Sequence, residues 1–142
     1  MTPDERSVLT ANDAFYAAFR AQDLVAMDIL WSRDARVLCV HPGWEPLEGR
    51  ELVMRSWRAI FENGVPEVRL SDVRVSVFGA VACVVCLEVI SESESAHEGA
   101  MAATNVFVRE DGGWRMVHHH AGPVARDDDD DLAADDEPAL LN

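Results

Sequence analysis

The chain has 142 residues, nearly half of them hydrophobic, which suits one domain with a real core rather than two. Lys and Arg total 12 against 26 Asp and Glu, a net charge of −14, and half of that excess sits in the stretch 126–142. So acidic a surface repels phosphate backbones and anionic headgroups, which excludes nucleic acid and membrane as expected partners.

The start, Met1-Thr2-Pro3-Asp4-Glu5-Arg6, lacks the basic opening and apolar run of a secretory signal, and no apolar stretch is long enough to span a bilayer. The cytoplasm is the expected compartment. Three cysteines are present, Cys39, Cys83 and Cys86. The Cys83-Val84-Val85-Cys86 spacing lies in a β-branched run rather than at a helix N-terminus, so these thiols are expected to be buried apolar residues without redox work.

Thr2-Pro3-Asp4-Glu5 is a helix start with a capping box and Pro at the first helical position. Val8, Ala11, Phe15 and Ala18/Phe19 recur at helical spacing and carry this helix to about Arg20. Ala21-Gln22 breaks it, and Asp23 caps a second, shorter helix with Leu24, Met27 and Leu30/Trp31 on its apolar side. Residues 35–41 form a strand with Val37, Cys39 and His41 on one face, ended by Pro42-Gly43. A third amphipathic helix follows over 49–62, with Val53, Trp57 and Ile60/Phe61 together, stopped by Asn63-Gly64.

The period then changes. Segments 68–78, 81–90, 101–109 and 114–120 are Val-rich and joined by short turns, which predicts an antiparallel meander. Helices followed by a run of strands give an α+β class. Val84 and Cys86 on one side of a strand, with Val81, Val85 and Val89 on the other, give a sheet apolar on both faces. A second copy of the chain is the simplest cover for the outer one. Residues 1–124 are read as the domain. Residues 125–142 are read as a disordered, solubilising acidic tail without the Gly turn or spaced ligands of a calcium loop.

Several segments in this order resemble the SnoaL-like family of the nuclear-transport-factor-2-like superfamily. They are Phe15-Tyr16-Ala17-Ala18-Phe19-Arg20-Ala21-Gln22-Asp23-Leu24, Trp31-Ser32-Arg33-Asp34-Ala35, His41-Pro42-Gly43-Trp44 before Gly49, Ser56-Trp57-Arg58-Ala59-Ile60-Phe61, and Gly113-Trp114-Arg115-Met116-Val117-His118-His119-His120. The last segment is also similar to the association domain of calcium/calmodulin-dependent kinase. The resemblance, over roughly residues 5–123, implies a cone: a strongly curved antiparallel or mixed sheet with the N-terminal helices in its concave face, a pocket inside, and dimers through the sheet. That superfamily hosts enzymes, binding modules and scaffolds alike, so the fold does not decide the function.

Strict alternation places Trp114, Met116, His118 and His120 inside the cone, and Met101, Asn105 and Phe107 from the preceding strand. Cys39 and His41 join them from the first strand; Phe15, Trp31, Trp57 and Phe61 come from the helices; Trp44 stands at the mouth. The polar members, His41, Asn105, His118 and His120, are the candidate catalytic groups. Neutral imidazole takes a proton near pH 7 and an amide donates to a carbonyl oxygen, which suits proton abstraction beside a carbonyl or activation of water. His41, His118 and His120 could also converge on zinc or iron, but no carboxylate supports such a site, and no metal or cofactor is expected.

The resemblance extends to ketosteroid isomerases only in part. Their helix tyrosine falls at Phe15, with Tyr16 rotated by ~100°. Their second acid falls at Asn105, and their base falls at Cys39, or at His41 with two residues inserted. Two functions are expected to compete. One is a protein binding a small apolar or carbonyl-bearing molecule in the cone, with proton-transfer or hydration-type chemistry. The other is a non-catalytic association module whose cone is filled by its own side chains.

Overall fold

The computed structural model describes residues 1–91 and 98–125. Helix α1 (Pro3–Ala21) opens on the expected reciprocal cap: the Glu5 N–H donates to Thr2 Oγ1 at 3.0 Å and the Thr2 N–H to Glu5 Oε1 at 2.9 Å. It ends where Gln22 turns left-handed at φ 53°. Asp23 then caps the seven-residue α2 (Leu24–Leu30) by accepting from the Ala26 N–H at 3.0 Å. Helix α3 (Arg50–Asn63) runs between Gly49 at φ 97° and Gly64 at φ 87°, backbone conformations that favour glycine at both ends.

Six strands form one sheet: β1 (Leu38–Val40), β2 (Leu47–Glu48), β3 (Glu67–Phe78), β4 (Val81–Ser91), β5 (Glu98–Glu110) and β6 (Gly113–Pro123), in the order β2-β1-β6-β5-β4-β3. The last four make the expected antiparallel meander. The first strand is shorter than its apolar pattern suggests and runs parallel to β6, so the sheet is mixed. The two-residue β2 has no signature in the sequence. The α+β cone class holds, with α1 lying across β3, β4 and β6.

Two bulges interrupt the ladders. On β3 one falls at Asp72 and Val73, where Asp72 takes φ 54°. On β6, Met116 faces Phe107 and His118 faces Val106, which leaves Val117 without a partner. Such extra residues bend a sheet and increase its twist. The β6 bulge also shifts the alternation. Trp114 and Met116 are buried before it, and His119 and Ala121 after it. The expected inward placement of His118 and His120 is therefore corrected: they lie on the outer face beside Leu38 and Val40, and His119 is the inward imidazole.

On the inner face the core gathers Val8, Phe15, Met27, Trp31, Cys39, Val53, Trp57, Val84, Phe107 and Met116. The outer face of β3 and β4 exposes Phe78, Val81 and Val85. Val89 on the same face is buried, and Cys83 is half-buried rather than buried as expected. All three thiols are free. Among the described residues no helix is long and apolar enough to cross a membrane. The expected tail falls almost wholly outside the described residues.

Candidate functional site

Between the concave sheet, α1, α3 and the loop after β1 lies a cavity of about 230 Å³. Phe15, Phe19, Trp44 and Trp57 give it aromatic walls, and Tyr16, His41, Glu88 and His119 supply its polar groups. Trp44 is 44 % exposed and sets its ring edge-on to His41 at 4.9 Å, a rim position. A larger concavity of about 600 Å³ lies between α2 and α3, but it is an open surface depression edged by Asp28, Glu51, Arg55 and Arg58. The aromatic cavity has the mostly apolar walls and few convergent polar groups of a small-molecule site.

Asn105 organises the polar groups from behind the wall. Fully buried on β5, it does not line the cavity itself. Its Nδ2 donates to Asn12 Oδ1 at 2.9 Å and to Tyr16 Oη at 3.1 Å, and its Oδ1 lies 2.6 Å from His119 Nδ1. An amide oxygen only accepts, so His119 carries its proton on Nδ1 and keeps a lone pair on Nε2. Burial pulls the His119 pKa down to about 3, helped by its neighbour His41, and the ring is neutral at physiological pH.

The same inventory fixes His41. Ser56 Oγ spends its proton on the Val53 carbonyl at 2.6 Å, so at 2.8 Å it accepts from His41 Nε2–H. His41 Nδ1 is left with a lone pair, which the Cys39 thiol meets at 3.9 Å. Burial lowers His41 to about 4 and raises the Cys39 thiol to about 12. The two imidazole rings stand 6.4 Å apart, with Trp57 at 4.7 Å from one and 5.9 Å from the other.

On the other side of Asn105 in the network, the Tyr16 hydroxyl donates to Glu88 Oε2 at 2.6 Å. Glu88 is 8 % exposed, lines the cavity and makes no ion pair among the described residues. Burial raises its pKa above the ordinary carboxylate value, and the Tyr16 hydrogen bond opposes that shift. Burial, then the nearby carboxylate, raises Tyr16 far above the usual phenol range, so its proton stays on. Of the cavity's titratable side chains, Glu88 is the one that both accepts a proton readily and faces the space.

Of the residues expected to form the site, Phe15, His41, Trp44, Trp57 and Met101 line the cavity. Trp31, Cys39, Phe61, Phe107, Trp114 and Met116 do not; they are buried in the surrounding core. Trp114 instead lies under the Arg109 guanidinium at 4.8 Å. His118 and His120, their rings 6.2 Å apart, face outward while His41 faces in, so the three imidazoles do not converge. Among the described residues no three His, Cys, Asp or Glu side chains are grouped to hold a metal.

The sequence reading passed over Tyr16, Glu88, Asn12, Ser56 and His119. Tyr16 was set aside as rotated from Phe15, yet a helix cradled by a curved sheet buries both neighbours. Glu88 carried a usable signal: the alternation that pairs Val84 with Cys86 brings it to the same face, a carboxylate aimed inward from a valine run. His119 had none, because its orientation depends on the bulge.

Residues 8–126 match the model of the SnoaL-like domain. A candidate dehydratase of the NTF2-like family from Streptomyces avermitilis is 39 % identical, with a TM-score of 0.79 over 88 % of this chain and 100 % of that one. A candidate calcium/calmodulin-dependent protein kinase type II association domain from Thiobacillus denitrificans is 37 % identical, with a TM-score of 0.77 over 87 % of this chain and 96 % of that one. The F-box protein SKIP8 of Arabidopsis thaliana is 30 % identical over 118 residues, which are 82 % of this chain and 49 % of that protein. The chain thus spans about half the length of this curated relative.

Proposed function

The chain belongs to the SnoaL-like family of the NTF2-like superfamily, and from that premise we propose that it binds a small, largely apolar molecule in the cone and moves a proton on it, with Glu88 as the base. One observation carries the reading: an unpaired, desolvated carboxyl lines an aromatic cavity and is held in place by Tyr16 and Asn105. Desolvation strengthens a carboxylate as a base, and the hydrogen bond from Tyr16 fixes its aim. The neutral imidazoles, with pKa values of about 3 and 4, are weak bases and serve as hydrogen-bond acceptors.

The similarity to a candidate dehydratase supports elimination as the reaction class. In that case Glu88 Oε1 takes the proton from the carbon next to the one that bears a hydroxyl, and the C–H electrons become the C=C bond. The adjacent C–O bond breaks, and the departing hydroxyl collects the same proton from Glu88 to leave as water. One carboxyl thus serves as base and then as acid, which suits a site whose other hydroxyl protons are committed.

The test needs no knowledge of the natural substrate. The ring-opening of 5-nitrobenzisoxazole requires only a base in an apolar pocket. The wild type is expected to accelerate it, and Glu88→Gln to lose that acceleration by roughly a hundredfold. Equal rates for the two proteins would remove Glu88 from the chemistry.

A second reading has its own support. The exposed outer face of β3 and β4, with the likeness to an association domain, favours self-association through the sheet, with or without chemistry in the cone. In this second reading the association module keeps an open cone.

A further inference from the structure

The proton inventory of the cone says more than that a ligand fits. Taking the small-molecule reading above as its basis, we infer that the cone prefers a molecule whose polar end is a hydrogen-bond donor, a hydroxyl on a small apolar ring, over acceptor-only analogues, and rejects carboxylates.

The argument is a count of what the walls leave unspent. The Tyr16 hydroxyl donates to Glu88, both Asn105 amide protons go to Asn12 and Tyr16, the His119 Nδ1 proton goes to Asn105, and the His41 Nε2 proton goes to Ser56. Ser56 donates to a backbone carbonyl. The Trp57 indole N–H and the Asn12 amide Nδ2 have no partner among the described residues, but both are enclosed in the wall. Below the rim, what the lining side chains still offer is acceptors: Glu88 Oε1, His119 Nε2 and His41 Nδ1, the last met by the Cys39 thiol at 3.9 Å; the Trp44 indole N–H is unspent as well, but on a 44 % exposed ring at the rim. Among the described residues no Lys or Arg lines the cavity.

Below the rim such a set leaves a buried carbonyl or ether oxygen without a donor, which costs the desolvation of that group. It repels a carboxylate outright, with Glu88 on the wall and no cation to offset it. A hydroxyl meets the set directly. An ammonium would also donate, but the lining holds one carboxyl to compensate its desolvation, and that carboxyl already accepts from Tyr16. Size agrees: a dry cavity of about 150 Å³ holds benzene, and this one measures about 230 Å³.

The experiment uses the full chain and isothermal titration with phenol, anisole, acetophenone, benzoate and benzylamine. Phenol is expected to bind at least tenfold more tightly than anisole or acetophenone, and benzoate not to bind. Glu88→Gln, which keeps the shape but turns one acceptor into an amide donor, is expected to narrow or reverse the preference of phenol over acetophenone. Anisole equal to phenol, or benzylamine tighter than phenol, overturns the hydroxyl assignment while leaving a working pocket. Failure of all five, with the protein folded by circular dichroism, overturns the pocket reading and this inference with it.

Discussion

At the scale of single residues the site depends on Asn105, an amide that touches no cavity surface yet sets the protonation of two groups that do. Tyr16 is the next most connected. Tyr16→Phe leaves Glu88 Oε2 without its donor and one Asn105 proton without its acceptor, at an expected cost of about 1–3 kcal/mol in urea unfolding. The buried imidazoles set a pH response. Each titrates near 6.5 when unfolded and at about 4 (His41) or about 3 (His119) when folded, so between those values the unfolded chain binds more protons. Stability from this pair is intact above pH 6.5 and declines as pH falls toward 4. Glu88, raised on folding, acts in the opposite sense, but it is one group against two. Melting temperature is expected to drop from pH 7 to pH 4, and the slope to flatten in His119→Gln. A flat wild-type profile would show that these rings are not buried neutral.

At the scale of elements, short segments carry disproportionate constraint. Helix α2 has seven residues, one fully buried side chain, Met27, and one side-chain cap, Asp23. Asp23→Ala is expected to cost about 1 kcal/mol by thermal unfolding. Gly49 begins α3 at φ 97°, where a Cβ meets no neighbour but the backbone conformation itself is strained. Gly49→Ala is expected to destabilise by more than about 1 kcal/mol despite the open space around it. The β6 bulge matters most, because one unpaired valine decides which of three consecutive histidines faces the cone. Of the two imidazoles with strongly depressed pKa in proton NMR, one should disappear in His119→Gln, and both should persist in His118→Gln and His120→Gln.

At the scale of the whole molecule the cone has an inner face committed to the core and cavity and an outer face that leaves Phe78, Val81 and Val85 exposed on β3 and β4. Val81 and Val85, each 42 % exposed, sit on outward positions of β4 on either side of Cys83. If the sheets pair, Val85→Arg is expected to shift the protein from dimer to monomer in sedimentation while ligand affinity in the cone stays within a factor of about two, since distant sites add independently. A monomeric wild type would end the association reading without touching the cavity.

Sequence alone determined what local chemistry determines. The capping box and the Asp23 cap placed two helix starts, Gly64 placed a helix end, and the change of period separated helices from meander, because these signals act within a few residues along the chain. The alternation of Val37, Cys39 and His41, and of Asn105 with Phe107, was legible for the same reason. Tertiary structure decided the rest. Whether Phe15 alone or Phe15 and Tyr16 together faced the sheet depended on how far that sheet curls. Which of His118, His119 and His120 pointed inward depended on a register shift between strands, an extra residue that leaves no mark on composition or period. A proton inventory exists only once Asn12, Tyr16, Glu88, Asn105 and His119, drawn from three strands and a helix, are brought within hydrogen-bond reach of one another, and that closeness is a property of the closed cone.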